Sequence, residues 1–132
     1  MRALRHQAGA IAAVAGAAAV ALGAFGAHAL AATLAPNALA IWRTAVEYQF
    51  WHALALLATA VLARDGSLSP RAMRRLDVAV AAFTLGVVVF CGSLYALALG
   101  APRALGIAAP FGGVALIVGW LALGGAFVAA RR

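Results

Sequence analysis

The chain has 132 residues, 67% of them hydrophobic and 10% charged, with a mean hydropathy of +1.03. A soluble domain of this length has too little interior to hide so much apolar surface, so the composition excludes that class and indicates a one-domain membrane protein. The formal net charge of +7 does not indicate a nucleic-acid partner, because the arginines stand at the ends of apolar runs and form no patch. Cys91 is the single cysteine and lies inside an apolar run, which excludes an intramolecular disulfide, a CxxC redox pair and a cysteine-based metal site.

The first apolar run covers about residues 8–30 and predicts a membrane-spanning helix, since ~20 residues cross a hydrocarbon core. Gly9, Gly16 and Gly23 recur every seven residues on one face, and Gly26 follows within the stretch GAFGAH. Such a stripe lets a second helix approach closely, which is how helices associate in lipid. His28 closes the run and falls near its outer boundary at ~1.5 Å per residue. The segment MRALRH followed by a small-residue run and AHA also resembles a secretory signal. The run exceeds the usual signal core of ~7–15 residues, so an uncleaved helix is the expectation.

Pro36 and Asn37 separate the first run from a second helix over about residues 40–63. Its segment WRTAVEYQFWH, Trp42 to His52, carries most of the intramembrane polar groups. Trp42 is expected as an interfacial anchor. Arg43 and Glu47 are four apart and are expected to pair on one face; Tyr48 and His52 are also four apart, with Gln49 beside them. Counting from Arg43, Glu47 lies roughly 6 Å and His52 roughly 13 Å inside the outer boundary. Glu47 and His52 stand about 140° apart around the helix, so the two do not readily chelate one ion.

Residues 64–70 hold the next break, with Ser69 as an N-cap and Pro70 at the first helical position of a helix over 70–99. Gly86 and Gly92 notch it, and Ser93 and Tyr95 belong to its outer half. A turn at Gly100–Arg103 leads to the last helix, over 108–130, with Pro110 expected to open it and Gly112 and Gly119 repeating the seven-residue spacing. The predicted fold is therefore an all-α bundle of four transmembrane helices.

Arg2, Arg5, Arg64, Arg71, Arg74, Arg75, Arg131 and Arg132 fall on one side, and only Arg43 and Arg103 on the other, out of ten basic residues. The positive-inside rule then places both termini and the central loop in the cytoplasm. Arg71, Arg74 and Arg75 read as a topogenic collar that is also suited to anionic lipid headgroups.

The motifs LGAFGAHAL (22–30), TAVEYQFWHALALL (44–57), FCGSLYALAL (90–99) and APFGGVALIVGW (109–120) closely resemble the bacterial family of unknown function numbered 423, whose eukaryotic relatives are called transmembrane protein 256. The resemblance spans nearly the whole chain. It implies a small four-helix inner-membrane protein and brings no catalytic residues with it. Ala29 and Cys91 stand where the family pattern often has Gly and Ser.

Charges at membrane depth are costly and face the bundle or a partner. The candidate polar cluster is His28, Arg43, Glu47, Tyr48, Gln49, His52 and Ser93, and the candidate helix-packing residues are Gly9, Gly16, Gly23 and Gly26. Small size, short loops and the lack of a cofactor motif favour a non-enzymatic accessory or assembly protein with no cofactor and no metal. Its expected partners are membrane lipids and either a second copy or a membrane complex. The alternative is an oligomeric carrier or channel for a small solute or proton that uses the polar cluster. A redox protein with His28 and His52 as ligands is a third reading, weakened by the absence of metal-ligand spacing.

Overall fold

The computed structural model describes residues 2–130; Arg131 and Arg132, two of the eight arginines expected on the cytoplasmic side, and the side chain of Arg2 lie outside the described residues. Four helical spans cross the fold. They are α1 (Arg2–Ala27), α2 (Pro36–Leu62), α3 (Pro70–Gly86) continuing through a π turn (Val87–Cys91) into α4 (Gly92–Ala98), and α5 (Ala108–Ala130). Each span is long and apolar enough to cross a membrane.

The boundaries follow local chemistry. Pro36 does not separate helices as the sequence suggests; it is the first residue of α2, where a missing N–H costs nothing and φ is already helical. Ser69 caps α3 as expected, its Oγ accepting from the Ala72 N–H at 3.2 Å, with Pro70 next in line. α4 ends on Gly100, whose φ of 92° is the left-handed conformation glycine adopts without strain. Its N–H bonds the Leu97 carbonyl at 3.1 Å, and the Ala101 N–H bonds that of Ala96 at 2.9 Å, which closes the helix in a Schellman turn. Pro110 does not open the last helix. A 3-10 turn over Arg103–Ile107 leads into α5 at Ala108, leaving Pro110 in a first turn whose N–H groups lack helical acceptors anyway.

Glycines zip the spans into two antiparallel pairs. A Cβ at Gly9 would meet Ala60 at 3.9 Å, at Gly16 it would meet Ala53 at 3.9 Å, and at Gly23 it would meet Val46 at 3.3 Å. One number falls as the other rises, so α1 runs against α2 in constant register along its seven-residue stripe. α3 and α5 are zipped more tightly. A Cβ on Gly119 would lie 2.5 Å from the Phe83 ring, on Gly86 2.5 Å from Leu116, and on Gly112 2.8 Å from the Phe90 Cα. The core lies where the pairs meet, around Leu56 of α2, Leu76, Val80 and Phe83 of α3, and Leu116 and Leu123 of α5.

Candidate functional site

The sequence places seven polar residues in one cluster; the fold divides them. Gln49 and His52 are buried, Tyr48 is half-buried, and Arg43, Glu47 and His28 are exposed on the bundle surface. Ser93 is buried, but its hydroxyl donates to the carbonyl of Phe90 at 2.9 Å, within its own helical span.

What remains is a polar seam running between the two helix pairs. Gln49 stands at its centre. Its Nε2 donates to the Ala15 carbonyl of α1 at 2.9 Å, and its Oε1 accepts the Tyr95 hydroxyl of α4 at 2.9 Å. One amide thus ties three spans together and uses both ends of its side chain. Three residues on, His52 lies 2.6 Å from the Tyr48 carbonyl through Nδ1 and 3.2 Å from Trp120 Nε1 through Nε2. A carbonyl only accepts and an indole N–H only donates, so these partners select the neutral ring with its proton on Nδ1. Tyr48 packs its ring on Phe90, with centroids 4.9 Å apart.

The end of the seam nearest the α1–α2 turn explains GAFGAH. Trp42 is 3% exposed, so it is a buried wedge and not the interfacial anchor that the sequence suggests. Its Nε1 donates to the Leu22 carbonyl at 2.9 Å, and its ring lies where a Cβ of Gly26 would be, 2.6 Å from that position. Gly26 therefore exists as a slot for an indole. Tyr95 covers the other face of Trp42 at 4.7 Å between centroids. His28 lies beyond this contact, in the turn after α1, and takes no part in it.

The expected Arg43–Glu47 ion pair does not form. Among the described residues the ion pair is Arg5–Asp77, with Nη1 2.9 Å from Oδ1 and both side chains largely buried. The contact joins α1 to α3 through charge rather than alignment, since no N–H points squarely at that oxygen. Sequence reasoning missed Asp77 because it falls in the first, polar turns of the predicted 70–99 helix and no local pattern pairs it with Arg5. An acid sandwiched between arginines and an apolar run was the available signal. Arg75 is likewise more than a topogenic charge: its Nη1 donates to the Gly125 carbonyl of α5, and the absence of a side chain at Gly125 makes room for the guanidinium. Ser69 Oγ also reaches the Ala129 carbonyl at 3.2 Å. In the loop before it, Asp65 accepts from the Ser67 N–H at 2.9 Å and hydroxyl at 2.6 Å, and these bonds hold its carboxyl below the usual aspartate range.

A groove of about 690 Å³ opens between α1 and α3, walled by Ile11, Val14, Val88 and Cys91 and reaching Gln49 and Tyr95 at its inner side. The π turn contributes Val87, Val88 and Cys91 to this wall. By inserting one residue it also offsets the rest of the span by about 100°, the rotation carried by each helical residue.

Comparison with known proteins agrees with this architecture. The family described as protein of unknown function (DUF423) matches residues 22–113. The UPF0382 membrane protein SSP2132 of Staphylococcus saprophyticus is 42% identical over 105 residues, covering 80% of this chain and 82% of that protein. The UPF0382 membrane protein YwdK of Bacillus subtilis is 40% identical over 103 residues, covering 78% and 80%. The UPF0382 inner membrane protein YgdD of Escherichia coli is 39% identical over 105 residues, covering 76% and 73%. No solved structure matches. With four apolar spans and a match over most of its length, the chain belongs to the DUF423 family of membrane proteins.

Proposed function

We propose that the protein is a non-enzymatic accessory or assembly protein of the bacterial inner membrane, seated with both termini in the cytoplasm. The observation that carries this reading is where the polar groups spend their bonds. Gln49, Tyr95, His52, Trp120 and Trp42 bond one another or backbone carbonyls of neighbouring helices. They hold the bundle together and, among the described residues, their hydrogen-bonding groups are spent on structure rather than left free for chemistry. Two charges of the candidate cluster, Arg43 and Glu47, lie exposed on α2, where a partner in the membrane would meet them. The arginine distribution supports the orientation, and the name of the Escherichia coli relative supports the membrane.

Affinity purification of the full chain in mild detergent, with quantitative mass spectrometry, tests this. A membrane protein recovered in fixed stoichiometry, and released by Glu47→Gln or Arg43→Gln, is the expected result. Recovery of a homo-oligomer alone, coupled to solute or proton flux in proteoliposomes, would replace this reading by the second one, an oligomeric carrier. That second reading draws on a cleft of about 330 Å³ between α1 and α2 lined by Gly23, Val46, Glu47 and Trp51. A neighbouring copy would enclose the carboxyl there.

A further inference from the structure

At the arginine-rich end, the first turns of α1 and the last turns of α2 line a pocket of about 370 Å³. Its walls are of two kinds. Arg5 and His6 of α1 and Arg64, just after α2, supply the polar side; Gly9, Leu57 and Val61 supply an apolar side. Leu57 and Val61 are 47% and 61% exposed, so the apolar wall continues onto the surface that faces lipid. Gly9 has no side chain and its facing residue, Ala60, is small; a Cβ added at Gly9 would reach van der Waals contact with Ala60 at 3.9 Å and take up part of this space.

We infer that this pocket is a binding site for an anionic glycerophospholipid, with the phosphodiester between Arg5, His6 and Arg64 and one acyl chain descending along Leu57 and Val61. Charge complementarity selects this occupant. Of the two acids nearby, Asp77 faces Arg5 at 2.9 Å, and Asp65 is turned to the Ser67 N–H and hydroxyl and makes no ion pair with Arg64. Arg64 is exposed with no ion-pair partner among the described residues. The Arg5 guanidinium carries five N–H donors, so one contact to Asp77 leaves others for a phosphate. A zwitterionic lipid brings its own cation to the same place and gains less. A free phosphate would satisfy the cations but leave the apolar wall uncovered. Basic pockets between helix ends at the membrane surface hold anionic headgroups by this combination. The site depends on the arginine-rich end alone, and is independent of the accessory or carrier reading.

The test is native mass spectrometry of the full chain, delipidated in detergent and titrated with phosphatidylglycerol, with phosphatidylcholine of the same acyl chains, or with glycerol 3-phosphate. Phosphatidylglycerol should bind in one saturable step, several-fold tighter than phosphatidylcholine, and glycerol 3-phosphate should not compete at equal concentration. Arg64→Gln should weaken phosphatidylglycerol about fivefold, the worth of one arginine near a lipid surface. Val61→Glu, which sets a negative charge on the exposed rim, should weaken it at least as much. Arg103→Gln, at the opposite end of the bundle, should leave it unchanged. Circular dichroism checks that each variant folds. Equal binding of both lipids, or no response to Arg64→Gln and Val61→Glu in folded protein, overturns the site. Competition by glycerol 3-phosphate at equal concentration overturns its assignment to a lipid.

Discussion

The indole N–H of Trp120 donates to Nε2 of His52 across 3.2 Å, joining residues 68 positions apart and linking α5 to α2. Trp120 is itself half exposed, so one edge of its ring faces outward while its polar atom turns in. Replacing it by Phe removes the donor together with the five-membered part of the ring. Trp120→Phe should lower stability by at least about 0.6 kcal/mol, the average for a hydrogen bond between membrane helices, with the lost ring contact adding to it. Denaturant titration in detergent micelles checks it. No change would mean that neither the bond nor that part of the ring adds stability.

The two glycine zippers should respond differently to one added methyl group. Gly112→Ala and Gly119→Ala force a Cβ into the Phe90 backbone and the Phe83 ring, and should cost about 1–3 kcal/mol as overpacking does. Gly16→Ala has ordinary contact distance to Ala53 and removes a flexible residue from a helix, so it should be neutral or slightly stabilising. Thermal unfolding of the three variants side by side distinguishes the zippers.

Asp77→Asn should destabilise, because Arg5 would be left largely buried without its counter-charge. The loss should reach about 3 kcal/mol, the lower end of the range for breaking a buried pair. Replacing both members with apolar residues, Arg5→Met with Asp77→Leu, should recover most of the loss. A double mutant no better than the single would show that the charge is needed for more than balance.

Arg43 and Glu47 make no ion pair and lie exposed, so Arg43→Ala should change stability in detergent by no more than about 0.5 kcal/mol. A large loss would restore the pair that the spacing suggests. Effects of this variant should appear instead in the stoichiometry of a purified complex.

Asp65 should titrate below its ordinary value of 3.8, since both hydrogen bonds from Ser67 favour the carboxylate. Its folded-state pKa is depressed, so its contribution to stability is present above the ordinary value and lost as pH falls through the lower one. Ser67→Ala should move the titration back up towards 3.8, observable in the carboxyl carbon shift by NMR. At neutral pH the charge state should be the same in both proteins.

The spans were legible because length and hydropathy settle them, and Ser69–Pro70 and Gly100 punctuate them by chemistry that acts locally. The seven-residue glycine spacing announced a helix contact too, though the tightest contacts proved to be those of Gly86, Gly112 and Gly119 rather than of α1. Which face of α2 points inward was not legible. In water an apolar stripe marks the core, but in lipid both faces are apolar and the period carries little information. Arg43 and Glu47 therefore read as an interior pair although they face outward, while Gln49, two residues on from Glu47 and about 200° further round the helix, is the buried residue. Partners such as Tyr95 and Trp120 depend on which spans become neighbours, and no local pattern encodes that.

The antiparallel zippers also bear on how the protein is made. Trp42 with Leu22 and Gln49 with Ala15 join α1 to α2, and Arg75 with Gly125 and Ser69 with Ala129 join the start of α3 to α5. Each hairpin can bury much of its own polarity before the other exists. A ribosome delivering the chain in order thus releases a first hairpin that is already internally paired. Among the described residues it leaves Gln49, His52 and Arg5 waiting for Tyr95, Trp120 and Asp77. Membrane insertion can then proceed two helices at a time, with docking of the halves as a separate and later event.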